Sequence, residues 1–230
     1  VIKGNAYGHG IDLFVPLAEK CGVRHFAVFG ADEALQASFA RRCDSDLMIM
    51  GWLDSAEIEW AIENELSFWV FDCERLHVAL SAARRVGKPA RVHLELETGL
   101  NRTGLQENQL PEALNALNEH PHRFVVEGMC THFAGAESVA NHLRIVSQME
   151  RFNALGGWLE SQGVRPKRRH VACSAAIFAY PESALDLVRS GIAQYGFWPS
   201  TEIKMRFALE AAESEAAERD ARTEDALRRV

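Results

Sequence analysis

The chain has 230 residues, 47% of them hydrophobic and 25% charged, with a formal net charge of −7. That composition is ordinary for a globular protein and excludes the disordered and collagen-like classes. An acidic balance with no basic stripe argues against a nucleic-acid partner, and no run of about eighteen apolar residues is present to cross a membrane.

Short apolar runs alternate with segments of helical period almost throughout. In chain order, strands are expected at Val1–Lys3, His25–Phe29, Asp46–Met50, Ser67–Phe71, Ala90–Leu96, Phe124–Thr131, Arg169–Ala172 and Asp186–Ile192. Their Val, Ile and Phe content suits buried parallel strands. Helices are expected near Asp12–Cys21, Asp32–Arg42, Ser55–Glu63, Glu74–Arg85, Leu110–Glu119 and Leu143–Ser161, with a shorter one after Ser174. Gly22 and Gly87 sit where left-handed C-terminal caps belong, and Asp54 and Ser55 where N-caps belong. Eight strands alternating with helices point to a closed (β/α)₈ barrel of the TIM type, with an open doubly wound sheet as the alternative.

The expected barrel domain covers residues 1–200. Residues 201–230 are rich in Ala and Glu and read as an exposed helical connector. The chain opens on what reads as the interior of a strand and closes on a new apolar run, so a fragment cut at both ends is expected. The run Lys167-Arg168-Arg169 reads as a solvated loop. Five cysteines without CxxC spacing give little support to zinc or to a disulfide framework. They fit a reducing compartment such as the cytoplasm.

Barrel enzymes place their chemistry at the C-terminal ends of the strands. Lys3 ends the first expected strand, where apolar neighbours would bury it and turn its amine into a nucleophile able to form a Schiff base. A structural ion pair is the competing role. Gly8 and Gly10 permit close backbone approach to a ligand, and Tyr7 offers a hydroxyl for an anion. The loops after strands seven and eight often hold phosphate, and here they carry Ser174, Gly191 and Ile192. Arg189 interrupts an apolar strand, and a buried guanidinium stays charged and needs a partner. A pyridine nitrogen would serve, and so would carboxylates in a structural network. His132 and His170 end adjacent strands beside it.

The stretch Val1-Ile2-Lys3-Gly4-Asn5-Ala6-Tyr7-Gly8-His9-Gly10 resembles the cofactor-lysine signature of alanine racemases, with Gly4 where that family usually has Ala. Glu97–Gly104, Thr131-His132-Phe133-Ala134, His170–Ala176 and Val188–Gly196 match the family in the same order. The resemblance implies a pyridoxal-phosphate enzyme that interconverts L- and D-alanine, or a related amino acid, through an external aldimine and two-base proton transfer. Lys3 would carry the cofactor and act as one base. Tyr7, Ser174, Gly191 and Ile192 would hold the phosphate, Arg189 would face the ring nitrogen with His170 supporting it, and His132 would pack near the ring. Arg102 would help hold the substrate. Glu95 stands where relatives often carry a carbamylated lysine, so it is expected to pair with Arg102 in its place. Cys173 replaces a common Asn.

The resemblance further implies a homodimer, D-amino-acid supply for the cell wall, and a β-rich C-terminal domain bearing the opposite base. This chain lacks that domain, so little activity is expected of the fragment itself. No metal is implied. A non-catalytic single-barrel protein that binds pyridoxal phosphate, and a cofactor-free Schiff-base aldolase, remain as alternatives.

Overall fold

Residues 1–213 are described by the structure, a computed structural model. Buried apolar runs form six parallel strands in sequence order: β1 (His25–Val28), β2 (Asp46–Ile49), β3 (Ser67–Val70), β4 (Ala90–Glu95), β5 (Phe124–Cys130) and β6 (Arg169–His170). Helices follow the strands: α1 (Ile11–Lys20), α2 (Ala31–Ala40), α3 (Ser55–Glu63), α4 (Cys73–Val86), α5 (Leu110–Glu119), α6 (His142–Ser161), α7 (Ser174–Ala179), and a last one over 201–213. The rest of the expected connector, 214–230, lies outside the described residues.

The sheet curls into a partial TIM barrel, and its two edges are joined by single backbone hydrogen bonds. Arg189 N–H donates to Ala172 O (2.9 Å), Val1 N to Ser190 O (2.8 Å) and Ile2 N to Ala27 O (2.7 Å). The two outermost expected strands are therefore corrected. Val1–Lys3 gives the sheet two residues before the backbone turns left-handed at Gly4. Asp186–Ile192 makes one isolated bridge, Arg189 to Cys173, before Gly191 leaves the extended region with φ −107° and ψ −105°. The remaining strands end one to two residues earlier than expected, because their C-terminal residues flare into loops.

Local chemistry explains the helices. In α5, Leu110, Ala113, Leu114 and Leu117 recur at three- and four-residue spacing and face the core. Asp54 caps α3 through a capping box: Glu57 N donates to its Oδ1 (2.8 Å) while Glu57 Oε2 accepts from Asp54 N (2.8 Å). Gly87 ends α4 with φ +78°, a conformation only glycine adopts cheaply.

The N-terminal ends of the strands are closed by charge. Arg91 pairs with Asp46 (2.8 Å) and Glu127 (2.8 Å), and Lys167 with Glu127 (2.9 Å). Of the Lys167–Arg169 run, Arg169 belongs to β6, while Lys167 and Arg168 lie in the loop before it, where Lys167 joins this closure. Residues at that end of a barrel serve stability. The opposite end opens into a cleft.

Candidate active site

The loop after Ile2 is built against the usual handedness. Gly4 (φ 63°), Asn5 (51°), Ala6 (55°) and Tyr7 (54°) are four successive residues in the left-handed region. For each non-glycine residue this costs about 1–2 kcal/mol, so the surroundings must enforce it. They do so with hydrogen bonds. Ala6 N donates to Ile2 O (2.8 Å), Gly8 N to Gly4 O (2.9 Å) and Gly10 N to Asn5 O (2.9 Å). Asn5 Oδ1 accepts from Ile11 N (2.9 Å).

Glu33, in the first turn of α2, completes the clamp. Its Oε1 accepts from Gly4 N (2.6 Å) and Asn5 N (3.3 Å), and its Oε2 from Phe29 N (2.8 Å). Sequence reasoning missed this residue, because an acid in a first helical turn looks like a dipole partner and nothing more. Glu33→Gln replaces one acceptor oxygen by a donor. In the full-length protein it is expected to cost about 1–3 kcal/mol, seen as a lower Tm. An unchanged Tm would mean that the turn holds itself.

The turn aims Lys3 and Tyr7 into a cleft of about 670 Å³ at the C-terminal ends of the strands. Arg102, His132, Ser174, Arg189, Gly191 and Ile192 line the same cleft, so it gathers eight of the ten residues expected from sequence. Lys3 is the only lysine on it among the described residues. It is exposed to the cleft mouth, not buried in a strand as expected, since the backbone leaves the sheet beside it. His170 and Glu95 lie behind the cleft wall, both buried.

The expected Glu95–Arg102 pair does not form. Glu95 is 1% exposed and neither of its carboxylate oxygens finds a hydrogen-bond partner among the described residues. Arg102 stays exposed on the cleft rim. Burial pushes the Glu95 carboxyl up, against the smaller opposing pull of Thr103, Arg102 and Arg189.

One end of the cleft brings the Tyr7 and Ser174 hydroxyls beside Gly191. Ser174 Oγ accepts from Gly191 N (2.8 Å) and Ala193 N (3.3 Å). A Cβ at Gly191 would stand 2.5 Å from the Tyr7 hydroxyl and 3.6 Å from Ser174 Oγ, so only glycine leaves that space open. Burial raises the Tyr7 phenol, with Cys173 adding to the shift; Tyr195, whose ring lies 5.2 Å away, is pushed up to about 12 by burial and then by Tyr7. Both hydroxyls therefore stay protonated; Tyr195 donates to Val1 O (3.4 Å), and Tyr7 lines the cleft with a proton to donate to an anion.

At the other end stands Arg189, 5% exposed. Its Nη1 donates to His170 Nδ1 (2.7 Å) and His170 O (2.6 Å), its Nη2 to Thr131 O (2.7 Å) and Val171 O (3.1 Å). Trp69 lies beneath the guanidinium at 5.3 Å, a contact that sequence reasoning missed. Among the described residues no carboxylate pairs with it, so the structural ion network considered from sequence is absent. Four bonds occupy the two terminal nitrogens, none among the described residues engages Nε, and the side chain lines the cleft. A neutral acceptor such as a pyridine nitrogen fits that position, and the Tyr7 and Ser174 hydroxyls fit a phosphate.

The family model "Alanine racemase, N-terminal domain" matches residues 1–199. This chain belongs to the alanine racemase family. The chain is 37% identical over 211 residues to the alanine racemase of Streptomyces coelicolor, covering 88% of this chain and 53% of that one. It is 34% identical over 223 residues to that of Lactobacillus delbrueckii subsp. bulgaricus, covering 95% and 58%. The Streptomyces coelicolor alanine racemase structure superposes with a TM-score of 0.81 at 34% identity, covering 88% of this chain and 54% of that one. A Bacillus anthracis alanine racemase solved with bound L-Ala-P gives 0.77 at 33%, covering 88% and 52%. The chain thus spans just over half the length of these relatives.

The buried histidines carry a pH signature. Burial, then the Arg189, Arg102 and Lys3 charges, hold His132 down to about 3; burial likewise holds His93 down to about 3 and His170 well below its ordinary value. Unfolded, each would bind a proton near pH 6.5, so the fold's stability is complete above that pH. It is expected to fall by several kcal/mol as pH drops from 6.5 toward 3. Denaturant titrations of the full-length protein at stepped pH check this; a flat profile above pH 4 would contradict it.

Proposed function

We propose that the full-length protein is a pyridoxal-phosphate-dependent amino-acid racemase, with alanine as its first substrate candidate. Residues 1–200 form its cofactor-binding barrel, and 201–230 lead toward a further domain. The observation that carries this reading is Arg189: a buried guanidinium held by neutral acceptors in the wall of the cleft that Lys3 enters. A cofactor-free aldolase gives such an arginine no partner.

When bound, pyridoxal phosphate supplies an aldehyde for an amine and an electron-withdrawing ring that acidifies the α-proton of an amino acid. This chain does the rest by position. Lys3 Nζ would anchor the cofactor, and its amine would serve to accept or return the α-proton on its face. Tyr7, Ser174 and the backbone of Gly191 and Ile192 hold the phosphate. Arg189 would face the ring nitrogen and, being a cation, would keep a proton off it. His132 lines the ring side, and Arg102 at the rim receives the substrate carboxylate.

The proton on the opposite face needs a second base, which we assign to the domain outside this chain, contributed across a homodimer. The 230-residue chain alone is then expected to racemise little or nothing, in keeping with a fragment of a cytoplasmic, cell-wall-supplying enzyme. Among the described residues no helix is long and apolar enough to cross a membrane.

The test is interconversion of L- and D-alanine by full-length protein, with and without added pyridoxal phosphate. Cofactor-dependent racemisation is expected. Cofactor binding without turnover on any amino acid would favour a non-catalytic barrel. A companion variant, Gly191→Ala, is expected to weaken cofactor affinity about tenfold by pressing on the Tyr7 hydroxyl; unchanged affinity would remove the phosphate from that end.

A further inference from the structure

The barrel interior holds a polar chain that the reading above does not use. His93, in the middle of β4, is 4% exposed, and His170 is 0% exposed. His93 Nδ1 lies 2.9 Å from His170 Nε2, their rings edge-on at 71° with centroids 5.0 Å apart. His170 Nδ1 in turn lies 2.7 Å from Arg189 Nη1. Beyond His93 is the small cavity at the closed end of the barrel, which His93 and Arg189 both line.

The backbone is shaped for this contact. The β4–β5 ladder slips at Val92/His93, so that Val92 faces Val126 while His93 faces Gly128, with Glu127 as the extra residue. A Cβ at position 128 would stand 2.2 Å from His93 Nδ1 and 3.0 Å from His170 Nε2. Only a glycine, placed there by the bulge, lets the two imidazoles meet.

Donor and acceptor roles along the chain are forced. An arginine has no acceptor, so His170 Nδ1 must present a lone pair to it. A neutral His170 then carries its proton on Nε2 and donates to His93 Nδ1, which leaves His93 protonated on Nε2. Were His170 to adopt the other tautomer, its Nδ1–H would meet the Arg189 Nη1–H, donor against donor. A proton added to either ring would set a second buried cation beside the guanidinium.

We infer that His93 is a positioning residue for the proposed reaction: it accepts the Nε2–H of His170, whose tautomer Arg189 sets, and so holds that ring and through it Arg189 in place. This rests on the assignment of Arg189 to the ring nitrogen. It extends that site by one residue, across the barrel to β4.

The test uses full-length holoenzyme labelled at histidine with nitrogen-15. Wild type is expected to show His170 neutral with its proton on Nε2. His93→Leu removes the acceptor and is expected to broaden or shift that signal and to lower kcat about tenfold, with KM little changed. His93→Asn, whose Oδ1 replaces Nδ1 as acceptor, is expected to restore the tautomer signal and most of kcat. A wild-type His170 protonated on Nδ1 would overturn the inference without any variant, even if His93→Leu failed to fold. So would normal kcat in His93→Leu, or an Asn variant as slow as Leu. Failure of the functional reading is separate: wild type would then hold no cofactor at Lys3, whatever the tautomer of His170.

Discussion

Lys3→Ala in the full-length enzyme is expected to lower racemisation by about 10⁴-fold or more, because it removes the covalent anchor and one proton-transfer group together. Its effect on stability is expected to be small, within about 0.5 kcal/mol, since the side chain is exposed at the cleft mouth and makes no hydrogen bond among the described residues. That combination separates a functional lysine from a structural one. A structural ion-pair lysine would show the opposite pattern, lower Tm with turnover retained. Calorimetry beside a coupled D-alanine assay reads both quantities on one preparation.

Arg189→Ala is expected to fail in both respects. Four hydrogen bonds disappear, and the carbonyls of Thr131, His170 and Val171 are left without this donor inside the barrel. Each buried group without a partner costs about 1–3 kcal/mol, partly offset by no longer burying a charge, so a net loss of about 3–5 kcal/mol is expected. Turnover is expected to fall about 10³-fold even where the protein stays folded, since the donor facing the ring nitrogen is gone. The neighbouring histidines report the same change. Arg189 is among the charges that hold His132 and His170 down, so both are expected to titrate at higher pH in the variant, with burial still keeping them below 6.5. Arg189→Lys keeps the charge but not the fork, and it is expected to lie between wild type and Ala in Tm. Wild-type kcat in Arg189→Ala would remove the residue from the mechanism.

Much of this was legible in the sequence, for physical reasons that can be named. Buried parallel strands are near-continuous apolar runs, so β1 to β5 stand out, and loops that punctuate them carry Gly or an N-cap acid. Lys3, Ser174 and Arg189 were singled out because each places a polar group at an expected strand end, and the fold brings the three to one cleft. The outer strands were over-read because hydropathy does not reveal a left-handed turn at Gly4 or a lone bridge at Arg189. The burial of Lys3 was over-read for the same reason. Glu33, Trp69 and His93 were missed because their partners are distant in sequence: Glu33 reaches Gly4 across 29 residues, and His93 reaches His170 across 77. The Glu95–Arg102 pair was inferred by analogy of charge, and the fold leaves Arg102 on the rim, out of reach of the buried carboxyl.

The account stands most directly on where the cofactor is attached. Full-length protein incubated with pyridoxal phosphate, reduced with borohydride and digested is expected to carry the pyridoxyl group on the peptide containing Lys3, at about one per chain. A reduced adduct spread over surface lysines, or concentrated on any lysine other than Lys3, would contradict it.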